Sequence, residues 1–205
     1  MSVSAIVVSK APHYRLTTIA TCRSDGGVGA DVADAALARM IDVASAVIAR
    51  YCRRVFAQET VRETICGGAS ALMLARRPIS TIISITCAGM AVAPEEYETD
   101  GAAIYRLAGG ARAPWWRGPI SIEYVGGYAL PDAETPTLPP DLEQAALNEV
   151  TAAVAGGGRD PTLTAEEIIG IGRWSNGVAG RSDASPFRHP GTRALVDPYR
   201  EVAVR

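Results

Sequence analysis

Lysine is almost missing from this chain. Of its 20 basic residues, 19 are arginine and one, Lys10, is lysine. Acidic residues number 22, so the net charge is −2. No basic excess is available to neutralise phosphates, which argues against sequence-independent nucleic-acid binding. A GC-rich coding sequence produces such an arginine bias on its own, although the flat guanidinium fork also suits interfaces. Histidine is scarce as well, with only His13 and His189. Cys22, Cys52, Cys66 and Cys87 show no CxxC spacing. A structural zinc site wants closely spaced ligand pairs. The expectation is therefore no metal site, and reduced, mostly buried thiols in a cytosolic setting. No apolar run approaches the roughly 20 residues that span a bilayer. The first fifteen residues lack a basic segment followed by a long apolar core, so no signal peptide and no membrane partner are expected.

Catalytic motifs are equally thin. Gly26-Gly27-Val28-Gly29 superficially looks like a phosphate loop. It lacks both the Lys-Ser/Thr ending and the spacing of a dinucleotide fingerprint. Neither histidine lies beside a Gly-x-Ser-x-Gly elbow, so a nucleophilic triad has no framework. Glu95-Glu96 and Glu166-Glu167 are adjacent pairs. Adjacent strand residues point to opposite faces, so these read as solvated rather than as an acid–base couple. Trp115-Trp116-Arg117 could stack bases, but beside a strand it reads as core plus rim. No catalytic residue and no cofactor site is expected.

What is present begins with a helix over Asp34 to Phe56. Leu37, Met40, Ile41, Ala44, Val47, Ile48, Tyr51 and Val55 recur at spacings of three and four, which makes one apolar stripe. Asp31 or Asp34 is the expected cap, and Arg50, Arg53 and Arg54 favour the negative helix end. A second helix is expected over Asp141 to Val154, opened by Pro140 and stopped by Gly156-Gly157-Gly158. Its stripe is Leu142, Ala145, Ala146, Val150 and Val154, and its alanines permit close approach to the first helix. Between the two lies a β-rich block, about residues 58–128. It contains an alternating run Gln58–Ile65, strands at Thr81–Cys87 and Ile120–Val125, and a hairpin signal at Asp100-Gly101. Strands this closely spaced leave no room for crossover helices, so antiparallel pairing follows. Ser4–Ser9 reads as a short strand, Tyr14–Cys22 as β-leaning and Gly109–Pro114 as a loop. Four prolines in Pro131–Pro140 make a semi-rigid connector.

The expected fold class is thus α+β: a small helical bundle of two main antiparallel helices, an inserted β region and an extended C-terminal arm. The domain division is a core at residues 1–155 and an arm at 156–205. The arm is rich in Gly, Arg, Ser and Pro and cannot bury enough of itself to fold alone.

The order of the motifs carries a resemblance. The first helix holds Ile41-Asp42-x-Ala44-Ser45-x-x-Ile48-x-x-Tyr51-x-x-Arg54-x-Phe56. Next come Leu72-x-Leu74-x-x-x-Pro78-Ile79-x-x-Ile82-x-Ser84-Ile85-Thr86 and Tyr97. Trp116-x-Gly118-Pro119-Ile120 leads to Tyr124-x-x-Gly127-Tyr128, and Leu138-Pro139-x-Asp141-Leu142-x-x-Ala145 opens the next helix. Over about residues 37–155 the chain resembles the head–tail connector, or adaptor, proteins of long-tailed double-stranded DNA phages and gene transfer agents. The resemblance implies a structural virion protein of the neck, assembled in the host cytoplasm. It implies a homo-oligomeric ring, commonly a dodecamer, under the portal protein. That ring would extend the DNA channel without sequence-specific DNA contacts and dock the next neck, stopper or tail protein. Ile168, Ile169, Ile171, Trp174, Leu195 and Tyr199 are the expected anchors to portal or neighbour, since buried aromatics and aliphatics concentrate contact energy. The competing reading is a small cytosolic enzyme or a nucleic-acid-binding module.

Overall fold

Strands outnumber helices. The computed structural model describes residues 4–156, 165–168, 172–175 and 186–201, and these hold eleven strands against four α-helices. The chain divides into two units. One comprises Met1–Tyr14 with Arg54–Leu138, the other Arg15–Arg53 with Pro139–Arg205.

The first unit is built of two antiparallel sheets. Its strands are β1 (Ser4–Ser9), β2 (Glu59–Cys66), β3 (Leu72–Met73), β4 (Ile79–Cys87), β5 (Met90–Ala91), β6 (Tyr97–Thr99), β7 (Ala103–Ala108), β8 (Ala111–Ala113) and β9 (Pro119–Gly126). The larger sheet runs β1-β2-β9-β4-β5 and the smaller β3-β7-β6, with β8 on β7. Central strand β9 alternates strictly, burying Ile120, Ile122, Tyr124 and Gly126. That alternation is what a one-sided sheet demands, since successive side chains point to opposite faces. Opposite it on β2, Val61 pairs Tyr124 and Glu63 pairs Ile122. Val61, Ile120, Ile122 and Tyr124 form one apolar cluster with Leu72, Ile85, Ile104 and Trp115. Each large side chain so buried contributes about 1.5–3 kcal/mol. Asp100-Gly101 turns β6 into β7, as the sequence promised. The Asp100 carboxylate accepts the N–H groups of Ala102 and Ala103, both at 2.9 Å, and Gly101 takes φ +84°. Gly127 sits at φ +108°, where a Cβ would lie 2.4 Å from the Ala57 carbonyl oxygen.

The second unit holds α1 (Ile19–Ser24), α2 (Asp34–Cys52), α3 (Pro140–Gly156), a hairpin of β10 (Ala165–Ile168) and β11 (Gly172–Ser175), α4 (Thr192–Val196) and a 3-10 turn at Asp197–Tyr199. Leu37, Ile41 and Ala44 of α2 share an apolar cluster with Leu147 and Val150 of α3 and Cys22 of α1. Gly26 permits the close approach of its loop to α3: a Cβ there would meet Leu147 Cδ1 at 2.8 Å.

Five expectations are corrected. The architecture is not a helical bundle with an inserted β region: the described elements are mostly β, in two antiparallel sheets, against four helices of which two have only five or six residues. Two amphipathic helices gave the strongest periodic signal, but strands of two to nine residues carry most of the pairing. Helix α2 ends at Cys52 rather than Phe56, because Arg53 adopts φ +55° and caps it by donating its backbone N–H to Ala49 and Arg50. Its N-cap is Ala33, which makes no side-chain cap; Asp34 lies in the first turn and pairs with Arg23 at 2.6 Å. Tyr14–Cys22 is not β: Thr18 caps α1 by accepting the Thr21 N–H at 3.0 Å, a local bond that outweighs β propensity. Gly109–Pro114 is more than a loop, since Ala111–Ala113 pairs back onto β7.

Candidate interaction surfaces

Among the described residues, three buried carboxylates bear on any claim of chemistry. Glu59 and Glu63 sit on the inner face of β2, and Glu149 sits on α3. An ionised carboxylate out of water is costly unless donors surround it. Glu149 has three. Its Oε2 accepts the Arg188 N–H at 2.8 Å; its Oε1 accepts the His189 N–H at 3.0 Å and the Thr192 hydroxyl at 2.6 Å. One side chain thereby fastens residues 188–192 onto α3.

Glu59 accepts the Tyr14 hydroxyl at 2.7 Å and Arg76 Nε at 2.8 Å. The Glu63 Oε1 accepts the Ala75 N–H at 2.8 Å and the Tyr124 hydroxyl at 2.5 Å, while Tyr124 in turn accepts the Arg76 N–H at 2.9 Å. These bonds pin the segment after β3 across the sheet. Burial, and then the bond to Glu63, pushes the Tyr124 phenol well above its ordinary range. The bond to Glu59 raises Tyr14 in the same way. Glu63 and Glu149 hold backbone N–H groups and Glu59 joins two side chains, an arrangement that serves the fold.

The second unit carries a groove of about 440 Å³ beside α2. Met40, Val43, Ala44 and Val47 line it, with Arg39 and Arg188 among its walls and Glu149 at one side. Nearby, Tyr51 meets Phe187 edge-on at 4.8 Å and donates its hydroxyl to Asp197, with Arg200 5.0 Å from its ring centre. The bond to Asp197 raises the Tyr51 phenol. In the first unit, Trp115 is core and donates Nε1–H to the Ile104 carbonyl at 3.1 Å, while Trp116 lies at the rim under Arg106, 4.4 Å from its guanidinium. This is the core-plus-rim arrangement read from the sequence.

Of the expected anchor residues, four fall on described elements. Ile168 closes β10 and Trp174 lies on β11, paired across the hairpin through Gly172 and Glu166 respectively. Ile169 and Ile171 lie outside the described residues. Leu195 is half-buried on α4. Tyr199 is half-buried and donates its hydroxyl to Asp141 at 2.7 Å, which ties the 3-10 turn to the start of α3. Sequence reasoning missed Glu149, Thr192 and Phe187. An acid standing inside the apolar stripe of the second helix was the one available signal.

No protein-family model matches the sequence, and no curated protein matches it. Solved structures do. One chain, described as "Neck of empty GTA particle computed with C6 symmetry", aligns with a TM-score of 0.56 and 20% identity over 98% of this chain and 97% of that one. Another, from "Virion of native gene transfer agent (GTA) particle", aligns with a TM-score of 0.57 and 22% identity over the same 98% and 97%. The fold is shared with gene transfer agent particle chains. Coverage near completeness on both sides means that both units, in the same chain order, belong to the likeness.

Proposed function

We propose that this chain is a structural neck protein of a phage-like particle, an adaptor that forms a ring under the portal, continues the DNA channel and seats the next neck or tail component. The observation that carries this reading is the end-to-end likeness to a chain of a gene transfer agent neck. The connector motifs quoted above point the same way independently. The six-fold symmetry in that neighbour's description is compatible with a twelve-fold ring, of which six is a divisor. A head-to-tail ring needs two different surfaces per subunit and leaves neither free on closure.

In this reading residues 1–155 are the ring-forming core and 156–205 the contact arm, with Ile168, Ile169, Ile171, Trp174, Leu195 and Tyr199 as its anchors. The chain acts by shape and transforms no substrate. The buried carboxylates support this, because Glu63 and Glu149 accept backbone N–H groups and Glu59 bonds the Tyr14 and Arg76 side chains.

Electron microscopy of the purified chain and of particles tests the reading. Rings, or a neck layer that disappears when the gene is deleted, are the expected result. A monomer that leaves neck density intact when deleted overturns it. The anchors are tested by replacing Ile168 and Trp174 with serine, which is expected to abolish docking onto the portal while leaving rings intact.

A further inference from the structure

The two edges of the larger sheet are unguarded. An edge strand exposes unpaired N–H and C=O groups, and proteins commonly protect it with charge, proline or a covering segment. Strand β1 reads Ser-Ala-Ile-Val-Val-Ser, without a charge or a proline, and is exposed along nearly its whole length. Ile6 is 61% and Val8 50% exposed. At the other side of the sheet, β5 covers only the end of β4, pairing Thr86 and Cys87. The Ile79 N–H is taken by Gly101 and the Ile85 carbonyl by Val92. Between them, Ser80–Ser84 (Ser-Thr-Ile-Ile-Ser) has no strand partner on that side among the described residues, and it too is uncharged. Ile83 is 52% exposed there.

We propose that these two edges belong to one interface: β1 of one copy pairs with the Ser80–Ser84 stretch of β4 in the next copy, so that the sheet continues from subunit to subunit. The inference rests on the ring reading above and names the contact that would build the ring.

Strand direction favours this pairing. Every ladder in the sheet is antiparallel, so β1 and β9 run one way and β2 and β4 the other. A neighbour's β1 laid beside β4 therefore arrives antiparallel and keeps the alternation, with both copies in the same orientation. That is the relation a rotation about a ring axis imposes, whereas β1 against β1 would require a two-fold dimer. Length also fits. Strand β1 has six residues, and the open part of β4 has five positions between its two occupied ends.

The bulges bear on the register. Strand β1 carries one extra residue, Val8, between the pairs at Val7 and Ser9, whereas β4 carries two, Ser80 between the pairs at Ile79 and Thr81 and Ile83 between those at Ile82 and Ser84. A bulge normally deters edge pairing because the residue counts no longer match. Val8 opposed to Ile83 cancels one excess and leaves Ser80, at the start of the open stretch beside Ile79, as the unmatched residue. Val8 and Ile83 are apolar and about half exposed, so they contribute contact rather than repulsion. Lys10, the chain's only lysine, lies just past β1 and ends the seam.

The experiment uses the full chain with Cys66 replaced by serine, since Cys66 is the exposed free thiol. Val8→Cys and Ile83→Cys are added singly and together, and mild oxidation is followed by denaturing electrophoresis without reductant. The doubly substituted chain is expected to give a ladder of covalent multimers, and each single variant nothing beyond dimer. Native mass spectrometry of the same samples reports assembly. Oligomers without a ladder overturn the edge pairing while the ring reading stands. No oligomers and no ladder overturn both. A second variant, Ile6→Lys, changes a side chain already facing solvent and so leaves circular dichroism and melting unchanged. It is expected to weaken self-association about tenfold or more, because a lysine on an edge disfavours pairing. Unchanged association by this variant also overturns the proposal.

Discussion

The two units of this protein are held by different means. In the β unit, the cluster is made of large side chains from distant parts of the chain: Val61, Leu72, Ile85, Ile104, Trp115, Ile122 and Tyr124. In the helical unit, α3 presents Ala145, Ala146 and Val150, and residues 188–192 are fastened by the single carboxylate of Glu149. The β unit therefore depends on volume, and the C-terminal part of the helical unit on directional bonds. Volume is lost by degrees when a side chain is trimmed. A bonded charge fails as a whole, because each of its donors is left without an acceptor.

The largest test of that contrast is Trp115→Ala. Trp115 is fully buried and also donates to the Ile104 carbonyl. Truncation is expected to cost about 3–5 kcal/mol, the range for large aromatics in a core. Hydrogen exchange should rise in β2, β4, β7 and β9 far more than in α2 and α3. Equal acceleration in α2 and α3 would mean that the two units unfold as one.

Next comes Glu149→Ala. It strands two backbone N–H groups and the Thr192 hydroxyl, at an expected cost of about 2–4 kcal/mol. The loss should be local. Residues 188–199 should become protease-sensitive while the β unit keeps its melting behaviour. Glu149→Gln keeps the acceptor oxygen and should recover most of the protection, which separates hydrogen bonding from packing.

A third test exploits titration. The Tyr124 phenol is raised above the ordinary value of 10.0 by burial and by Glu63. A raised group stabilises the fold fully below its unfolded value. That contribution is lost as pH climbs above about 10 toward the folded value, because the unfolded chain sheds the proton first. The β unit should thus weaken in alkali. Tyr124→Phe should flatten that dependence, at a cost of about 1–2 kcal/mol at neutral pH for the Arg76 N–H it orphans.

How far the sequence went toward this picture follows from where its information is local. The apolar stripes of α2 and α3, the alternation of β2 and β9 and the Asp100-Gly101 turn depend on neighbours within a few residues, and they could be read directly. The balance between helix and sheet could not. Long helices announce themselves through several turns of periodicity, whereas β3 and β5 are two residues each and exist only because a distant strand supplies their bonds. β8, Ala-Arg-Ala, has no strand signal at all and is made by β7. The alternation of Glu59, Val61, Glu63 and Ile65 placed them on one face. It did not say that this face would be the buried one, because the donors that make two inward glutamates tolerable come from Tyr14, Ala75, Arg76 and Tyr124. The exposed edges β1 and β4 were invisible for the same reason: an edge is a property of the finished sheet.

The smallest expected effect lies at the one turn whose sequence signal was local and strong. Asp100 is fully exposed, yet its carboxyl is held below the usual carboxylate range by the N–H groups of Ala103 and Ala102. A lowered group stabilises the fold above its unfolded value and loses that contribution as pH falls through the folded value. Acid titration of the β6–β7 hairpin, followed by the amide signals of Ala102 and Ala103, should therefore show a midpoint below that of a free aspartate. Asp100→Asn keeps an acceptor for those N–H groups and removes the charge. It should leave the hairpin in place at neutral pH and erase the acid transition. If the transition survives the substitution, it does not report the Asp100 turn, and the Glu98–Arg112 pair between β6 and β8 becomes the contact that holds the hairpin. The hairpin would then be set by charges between strands rather than by its own loop, and the division between a volume-held β unit and a bond-held helical unit would need to be redrawn at this end of the smaller sheet.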